Sequence, residues 1–283
     1  MIEFLKVIAL GIIEGVTEWL PISSTGHLIL ANDFIKLNVT KEFMSVFNVV
    51  IQLGAIFAVI LLFWDKIFPF KFEKGKGIKA EKEKFSLWGK VLIACIPAGI
   101  IGVLFDDKIE ELFYNPTSIA IALIVVGIIF LIVENIKIKK SRHDRLAENK
   151  DTLDKITVKD SLKIGIYQVF AAVFPGTSRS GATIIGGMIN GLDRETAAEF
   201  TFILAIPVML GASLLKIVKF GFHFSKNEMI ILLLGMFVSF IVSLYTIKYL
   251  LKYIKKHDFK PFGIYRIILG IIILLRYYVF LSN

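Results

Sequence analysis

Long apolar stretches separated by charged loops dominate the hydrophobic pattern of this chain. Six of these stretches are long enough to cross a bilayer as helices, which takes roughly 20 residues. The predicted spans are 43–64, 87–105, 118–133, 201–218, 229–247 and 262–280. With 56% hydrophobic residues in the whole chain, the pattern predicts an all-α polytopic membrane protein.

Two further apolar stretches, Gly11–Leu30 and Gly165–Ile184, are interrupted near their middle by a proline and a group of hydroxyl residues. The alignment of the two copies places Glu14 on Gln168, Pro21 on Pro175, Ser23 on Thr177 and Ser24 on Ser178. Non-helical backbone at membrane depth is tolerated where it is buried in protein or lines a cavity. Each copy is therefore predicted to form a re-entrant pair of half-helices.

The predicted elements follow one order twice, a re-entrant pair and then three spans. The segment Ile124–Glu134 at the end of the first half also resembles Ile267–Tyr277 at the end of the second half. Because three spans are an odd number, the second half must lie inverted relative to the first. The sequence thus predicts an inverted repeat made of residues 1–136 and 162–283, joined by a hydrophilic linker over 137–161.

Basic residues predict the orientation of the spans. The loops 65–86, 137–161 and 248–260 hold seven, eight and five Lys or Arg residues, whereas 106–117 holds one and 219–228 holds two. The first three loops are therefore predicted to be cytoplasmic, and the two re-entrant pairs should enter from opposite faces and meet near the midplane. Span-end lysines also explain the net charge of +9 without a nucleic-acid partner, and the single Cys95 excludes disulfides and Cys-based metal sites.

Two carboxylates mark the first motif. Glu14 and Glu18 are four residues apart and share one helix face. In a low dielectric they would repel each other unless they shared a proton or held a cation. Mg²⁺ and Ca²⁺ prefer such oxygen ligands. The alternative is a pair of interfacial glutamates that face water.

A helix start with acid–base equipment follows these carboxylates. Ser23, Ser24 and Thr25 are good N-cap residues after Pro21, and a helix N-terminus favours phosphate binding. His27, in the first turn, could serve as general acid, general base or nucleophile. A histidine at a helix end is otherwise an interfacial or structural group.

The second motif, 175–183, supplies anion-binding groups. Gly176 allows a ligand to approach the backbone closely. Arg179 carries a planar guanidinium suited to bidentate phosphate contacts. Its anion could be Glu14, Glu18 or a substrate phosphate. Ser178, Ser180 and Thr183 could bind the same anion or act only as helix caps. Together the two motifs predict a buried polyanion site.

These motifs resemble the undecaprenyl-diphosphate phosphatase family, also known as the bacitracin-resistance protein family. The family pattern has Glu/Gln-x-x-x-Glu, then Pro-x-Ser-Ser-Thr-Gly-His and a later Pro-Gly-x-Ser-Arg-Ser-x-x-Thr. All three occur here, at Glu14–Glu18, Pro21–His27 and Pro175–Thr183, and the resemblance covers the whole chain.

The resemblance implies metal-dependent hydrolysis of undecaprenyl diphosphate to the monophosphate and inorganic phosphate. It implies a multi-pass enzyme of the cytoplasmic membrane, with its site toward the extracytoplasmic side, that recycles a cell-wall lipid carrier and confers bacitracin tolerance. By position, Glu14 and Glu18 would hold Mg²⁺ or Ca²⁺, and Glu18, Ser24, His27 and Arg179 would be catalytic. The diphosphate would bind at Ser23, Thr25, Gly176, Ser178, Arg179, Ser180 and Thr183.

Some alternatives stay open at the level of sequence. A transporter or flippase for a lipid phosphate could share the inverted-repeat plan. The sequence does not decide whether Ser24 or His27 is the nucleophile. It also leaves the oligomeric state open, and a homodimer is one possibility. A lipid phosphatase resembling the type 2 phosphatidic acid phosphatases is disfavoured, because only His223 and His257 follow Arg179, both in predicted loops.

Overall fold

Six long apolar helices form the body of the protein. The computed structural model describes residues 2–73, 77–143 and 152–280. Within these ranges, six helices are long and apolar enough to cross a membrane, and each overlaps one predicted span. They are α3 (Lys41–Leu62), α5 (Lys82–Phe113), α6 (Pro116–His143), α9 (Arg194–Phe220), α10 (Lys226–Ile254) and α11 (Lys260–Leu275), which continues as a π-helical turn over Arg276–Phe280. The prediction of an all-α polytopic membrane protein is confirmed.

Each interrupted motif forms two shorter helices. The first gives α1 (Ile2–Thr17) and α2 (Ser24–Phe34), and the second gives α7 (Val158–Val173) and α8 (Arg179–Ile189). Each pair precedes three of the long helices along the chain. The inverted relation of the halves and the entry of the pairs from opposite faces stay predictions.

Two connecting segments differ from the sequence expectation. The loop 65–86 contains a short helix, α4 (Trp64–Ile67), and an antiparallel hairpin of β1 (Phe70–Glu73) and β2 (Gly77–Ala80). The predicted linker 137–161 is shorter, because α6 continues to His143 and α7 begins at Val158 after a 3₁₀ turn over Leu153–Lys155. Residues 144–151 lie outside the described residues.

The two halves interlock through helix packing. Helix α1 packs against α10, α7 against α5, α3 against α10, and α6 against α11. Small residues let the backbones approach closely, as is usual between membrane helices. At the crossing of α3 and α10, a Cβ atom on Gly54 would lie only 1.9 Å from the carbonyl oxygen of Met236.

A buried ion pair fixes the beginning of α11. Glu134, which is fully buried, accepts hydrogen bonds from Arg194 Nε at 2.8 Å and from the backbone N–H of Phe259 at 3.0 Å. These contacts join α6, α9 and the residue that caps α11. The ion pair therefore sets the position of α11, which carries Tyr265 and Arg266 to the break between α1 and α2.

Candidate active site

The breaks in the two helix pairs end in matching serine caps. Ser23 precedes α2, and its Oγ accepts a hydrogen bond from Gly26 N at 3.3 Å. Ser178 precedes α8, and its Oγ accepts one from Gly181 N at 3.1 Å. The structure thus makes Ser23 the counterpart of Ser178, one residue out of register with the sequence alignment, which had paired Ser24 with Ser178.

Both cap serines have a strained backbone. Ser23 has φ of 72° and Ser178 has φ of 68°, and among the described residues they alone have positive φ without being glycine. Such conformations cost on the order of 1 kcal/mol or more and cluster at ligand sites. Beside Ser178, Gly176 has φ of 94°, and a Cβ there would lie 2.5 Å from the carbonyl oxygen of Ile119, so this turn requires glycine.

Glu18 joins the two motifs. Its Oε2 accepts a hydrogen bond from Ser24 Oγ at 2.7 Å, and its Oε1 accepts one from Arg179 Nη2 at 2.8 Å. The side chains of Arg179 and Glu18 are only 12% and 9% exposed. A hydroxyl paired with a buried carboxylate, which a third group orients, is the arrangement that activates a nucleophile.

Arg179 is held on its other sides by protein groups. Its Nη1 donates to the carbonyl oxygen of Thr201 at 2.9 Å, and its guanidinium lies 5.7 Å from the ring centroid of Trp19. Trp19 is fully buried and packs edge-on against Phe202 at 5.2 Å. A cation over an indole face is favourable when water is excluded. The guanidinium is thereby oriented toward Glu18.

The remaining hydroxyls of the second motif support this arrangement. Ser180 Oγ donates to the carbonyl oxygen of Glu18 at 3.1 Å and lies 3.1 Å from Ser178 Oγ. Thr183 Oγ1 donates to the Arg179 carbonyl at 2.9 Å and accepts from Thr201 Oγ1 at 2.9 Å. Thr183 is thus engaged inside the protein. Direct contacts of these hydroxyls, and of the half-buried Thr25 in the first turn of α2, with a diphosphate stay predictions.

Glu14 is a buried carboxylate of the first motif that lacks a hydrogen-bond partner among the described residues. Both of its carboxylate oxygens are buried without a hydrogen-bond partner in the described part of the chain. A buried carboxylate in this state calls for a proton or a cation. Glu14 therefore fits a metal ligand, whereas both oxygens of Glu18 are already engaged. Among the described residues, no group of three or more His, Cys, Asp or Glu side chains is placed to hold a metal.

His27 lies beside this cluster with partners of its own. Its Nδ1 is 2.7 Å from the carbonyl oxygen of Ser23, and its Nε2 is 2.7 Å from the hydroxyl of Tyr265. Because a carbonyl only accepts, Nδ1 is assigned the proton, and Nε2 of the neutral ring accepts from Tyr265. The two rings stack with centroids 5.5 Å apart. This geometry couples His27 to α11 rather than to Ser24.

Sequence reasoning missed Arg266 of α11. Its guanidinium is fully buried and donates to the carbonyl oxygens of Pro21 at 3.1 Å, Gly176 at 2.8 Å and Thr177 at 2.7 Å. It thus satisfies backbone acceptors in both turns and ties one turn to the other. An arginine inside the predicted span 262–280 was the available signal, since intramembrane charges usually mark a site.

Comparison with known proteins adds to this geometry. The family model described as "Bacitracin resistance protein BacA" matches residues 7–272. An undecaprenyl-diphosphatase of Acetivibrio thermocellus is 58% identical over 277 residues, which cover 98% of this chain and 98% of that protein. Proteins of the same name from Desulfitobacterium hafniense and Enterococcus faecalis are 55% and 53% identical over 98% and 97% of this chain, and over 97% of each relative. The chain belongs to the family of the bacitracin resistance protein BacA.

Proposed function

We propose that this protein hydrolyses undecaprenyl diphosphate to undecaprenyl phosphate and inorganic phosphate. The observation that carries the proposal is the buried row Ser24–Glu18–Arg179, in which a hydroxyl donates to a carboxylate beside an arginine. The names of the full-length relatives support the substrate. The reaction would recycle a lipid carrier and confer tolerance of bacitracin.

Ser24 is the nucleophile that this geometry favours. Glu18 takes the proton of Ser24 Oγ as that oxygen attacks the terminal phosphorus of the diphosphate. The bond from this phosphorus to the bridging oxygen breaks, and undecaprenyl phosphate leaves. The proton that Glu18 took leaves with the undecaprenyl phosphate. Water then attacks the phosphoserine, and Glu18 accepts a proton from that water. Glu18 returns this proton to Ser24 Oγ as the bond from that oxygen to phosphorus breaks, and inorganic phosphate departs with Ser24 restored.

Arg179 and the two helix starts would bind the diphosphate. The phosphate oxygens would take over the guanidinium contact that Glu18 makes in the substrate-free structure. Backbone N–H groups at the starts of α2 and α8 favour anions. Charge neutralisation of this kind supplies most of the catalysis in phosphoryl transfer.

We also propose that a divalent cation, Mg²⁺ or Ca²⁺, binds at Glu14, and that Glu18 becomes its second ligand once a phosphate has displaced Glu18 Oε1 from Arg179. The unpartnered and buried carboxylate of Glu14 supports this assignment. When bound, the cation would neutralise charge on the diphosphate. The protein would lie in the cytoplasmic membrane with its site toward the outer side, as the family resemblance implies. The distribution of basic residues supports the orientation of the spans, with the loops 65–86, 137–161 and 248–260 in the cytoplasm.

Phosphate release from undecaprenyl diphosphate by the purified protein in detergent tests the proposal. Ser24→Ala and Glu18→Gln should each lower the turnover rate by about 10²–10⁴-fold. The matched control is Ser239→Ala, since Ser239 is also buried but its Oγ has no partner among the described residues. This control should retain the wild-type rate.

Two further measurements separate the steps of the proposal. Acid quenching during turnover should trap a phosphate on the peptide that contains Ser24, and its absence under saturating substrate would argue for direct attack by water. A chelator should abolish the activity, and added Mg²⁺ or Ca²⁺ should restore it. A wild-type protein that bound the lipid but released no phosphate with either metal would refute the hydrolysis and favour the transporter alternative.

A further inference from the structure

The hairpin of β1 and β2 presents two chemically different faces. The strand register pairs Phe70 with Ala80 and Phe72 with Ile78, and it places Lys71 directly opposite Lys79. Because side chains alternate along a strand, one face carries the apolar positions, and the other carries the two lysines and the position of Glu73. The exposed fractions are 42% for Phe70 and 65% for Ile78.

The position of the hairpin in the chain holds it at the membrane surface. It lies between α3 and α5, which are both candidate membrane spans, and only Glu81 separates β2 from α5. Glu81 N donates to the carbonyl oxygen of Pro69 at 2.8 Å, which closes the base of the hairpin. Trp88 Nε1 donates to the carbonyl oxygen of Ile67 at 2.8 Å, which fixes α4 against α5.

A row of aromatic side chains continues from the apolar face of the hairpin to helices α4 and α5. Trp64 stacks on Phe68 at 4.5 Å, Phe68 contacts Phe70 at 5.9 Å, and Phe70 contacts Phe85 at 5.7 Å. Trp64 and Phe85 are 48% and 47% exposed, so the row leaves ring surface uncovered. Exposed aromatic rings at the ends of spans are typical of the interface between hydrocarbon and headgroups.

The opposed lysines indicate the chemistry of the partner. Like charges directly opposite each other destabilise a strand pair, and an anion between them offsets that repulsion. Lys84 forms an ion pair with Glu81. The hydrogen bond from Lys84 lowers the pKa of Glu81 below its usual value, and the charges of Lys71 and Lys79 add smaller effects in the same direction. Lys71 and Lys79 are both exposed and available to phosphate groups of a lipid surface.

We infer that the β1–β2 hairpin is an interfacial anchor, whose apolar face inserts into the membrane surface and whose lysines bind anionic phospholipid headgroups. Each lysine near an anionic surface strengthens binding by about fivefold. The pair should therefore give about a 25-fold preference of the hairpin for an anionic over a neutral surface. The anchor is independent of the chemistry proposed for Ser24 and Glu18.

A spin label at position 78 tests the inference in the full-length protein. Ile78→Cys is made in a Cys95→Ala background, because Cys95 is the single cysteine of the chain. The protein is placed in nanodiscs of phosphatidylcholine with or without phosphatidylglycerol, and the access of oxygen and of a water-soluble nickel chelate to the label is compared. A label at His223, an exposed position between α9 and α10, is the aqueous reference.

We expect the label at 78 to be shielded from the chelate in anionic nanodiscs and more accessible in neutral ones. The double variant Lys71→Gln with Lys79→Gln should show the same access in both lipids. About 0.5 M salt should have the same effect on the protein that keeps both lysines, because salt screens their charges. Lys252→Gln with Lys256→Gln, which removes two exposed lysines elsewhere, should leave it unchanged. A label at 78 as accessible as one at 223 in both lipids would overturn the anchor and leave the apolar face to a protein partner. A lipid difference that persists without Lys71 and Lys79 would overturn their role.

Discussion

Replacement of Arg266 by leucine should separate the two turns that form the site. Arg266 makes three hydrogen bonds to buried carbonyl oxygens, one in the first turn and two in the second. A hydrogen bond from a charged group contributes about 1.5–3 kcal/mol. The variant no longer has to bury a charged guanidinium, and this offsets part of the loss. We therefore expect the free energy of unfolding to fall by about 3–5 kcal/mol. For a chain of this length, Tm should fall by about 6–10 °C.

Thermal unfolding in detergent measures this cost, and Arg276→Leu is the matched control near the end of the same helix. Arg276 is 33% exposed, lies 3.7 Å from Asp33 Oδ2, and stacks over the ring of Phe34. A partly exposed ion pair that makes no hydrogen bond contributes about 1 kcal/mol or less. If Arg266→Leu lowered Tm no more than Arg276→Leu does, the turns would not depend on Arg266. Arg266→Lys should be intermediate, because an ammonium lacks the planar fork that reaches both turns.

Three other changes have matched controls within the chain. Gly54→Ala should lower Tm, since its Cβ would lie 1.9 Å from Met236 O, whereas Gly99→Ala, with nothing within 4 Å, should not; equal shifts would refute the tight crossing of α3 and α10. Glu134→Gln should lower the free energy of unfolding by about 3–5 kcal/mol, because it removes the buried partner of Arg194. Glu195→Gln, whose partner Lys255 is 56% exposed, should lower it by about 1 kcal/mol or less; comparable losses in the two variants would contradict the buried role of Glu134. Tyr265→Phe should alter the pH profile of phosphate release while Tyr278→Phe should not, because Tyr265 hydrogen-bonds His27; an unchanged profile would show that the contact has no catalytic effect.

Hydrophobic pattern was sufficient for the helices but not for the register of the turns. The six spans and both helix breaks follow from apolar runs and from Pro21 and Pro175, which are local signals. One residue lies between Pro21 and the cap residue Ser23, whereas two residues lie between Pro175 and the cap residue Ser178. An alignment anchored on the prolines therefore pairs the wrong serines beyond them.

The hydrogen-bond partners of the site residues could not be predicted from the sequence, because several candidate partners were equally suitable by residue type. The motif left Glu14, Glu18 and a phosphate as candidate anions for Arg179, and only the folded arrangement selects Glu18. Arg266 binds backbone carbonyls, which any residue supplies, so no residue type marked its partners. The β1–β2 hairpin was missed because its alternating Phe and Lys residues lie in a lysine-rich segment that indicated a solvated loop.

The two arginines of the site differ in what could replace their partners. Arg266 is bound by carbonyl oxygens of the chain itself, which cannot leave without breaking the turns. Arg179 is bound by the side chain of Glu18, and both are slightly exposed, so a phosphate oxygen can take the place of that carboxylate. In the proposed reaction this exchange would release Glu18 Oε1 while Oε2 keeps the proton of Ser24 within reach.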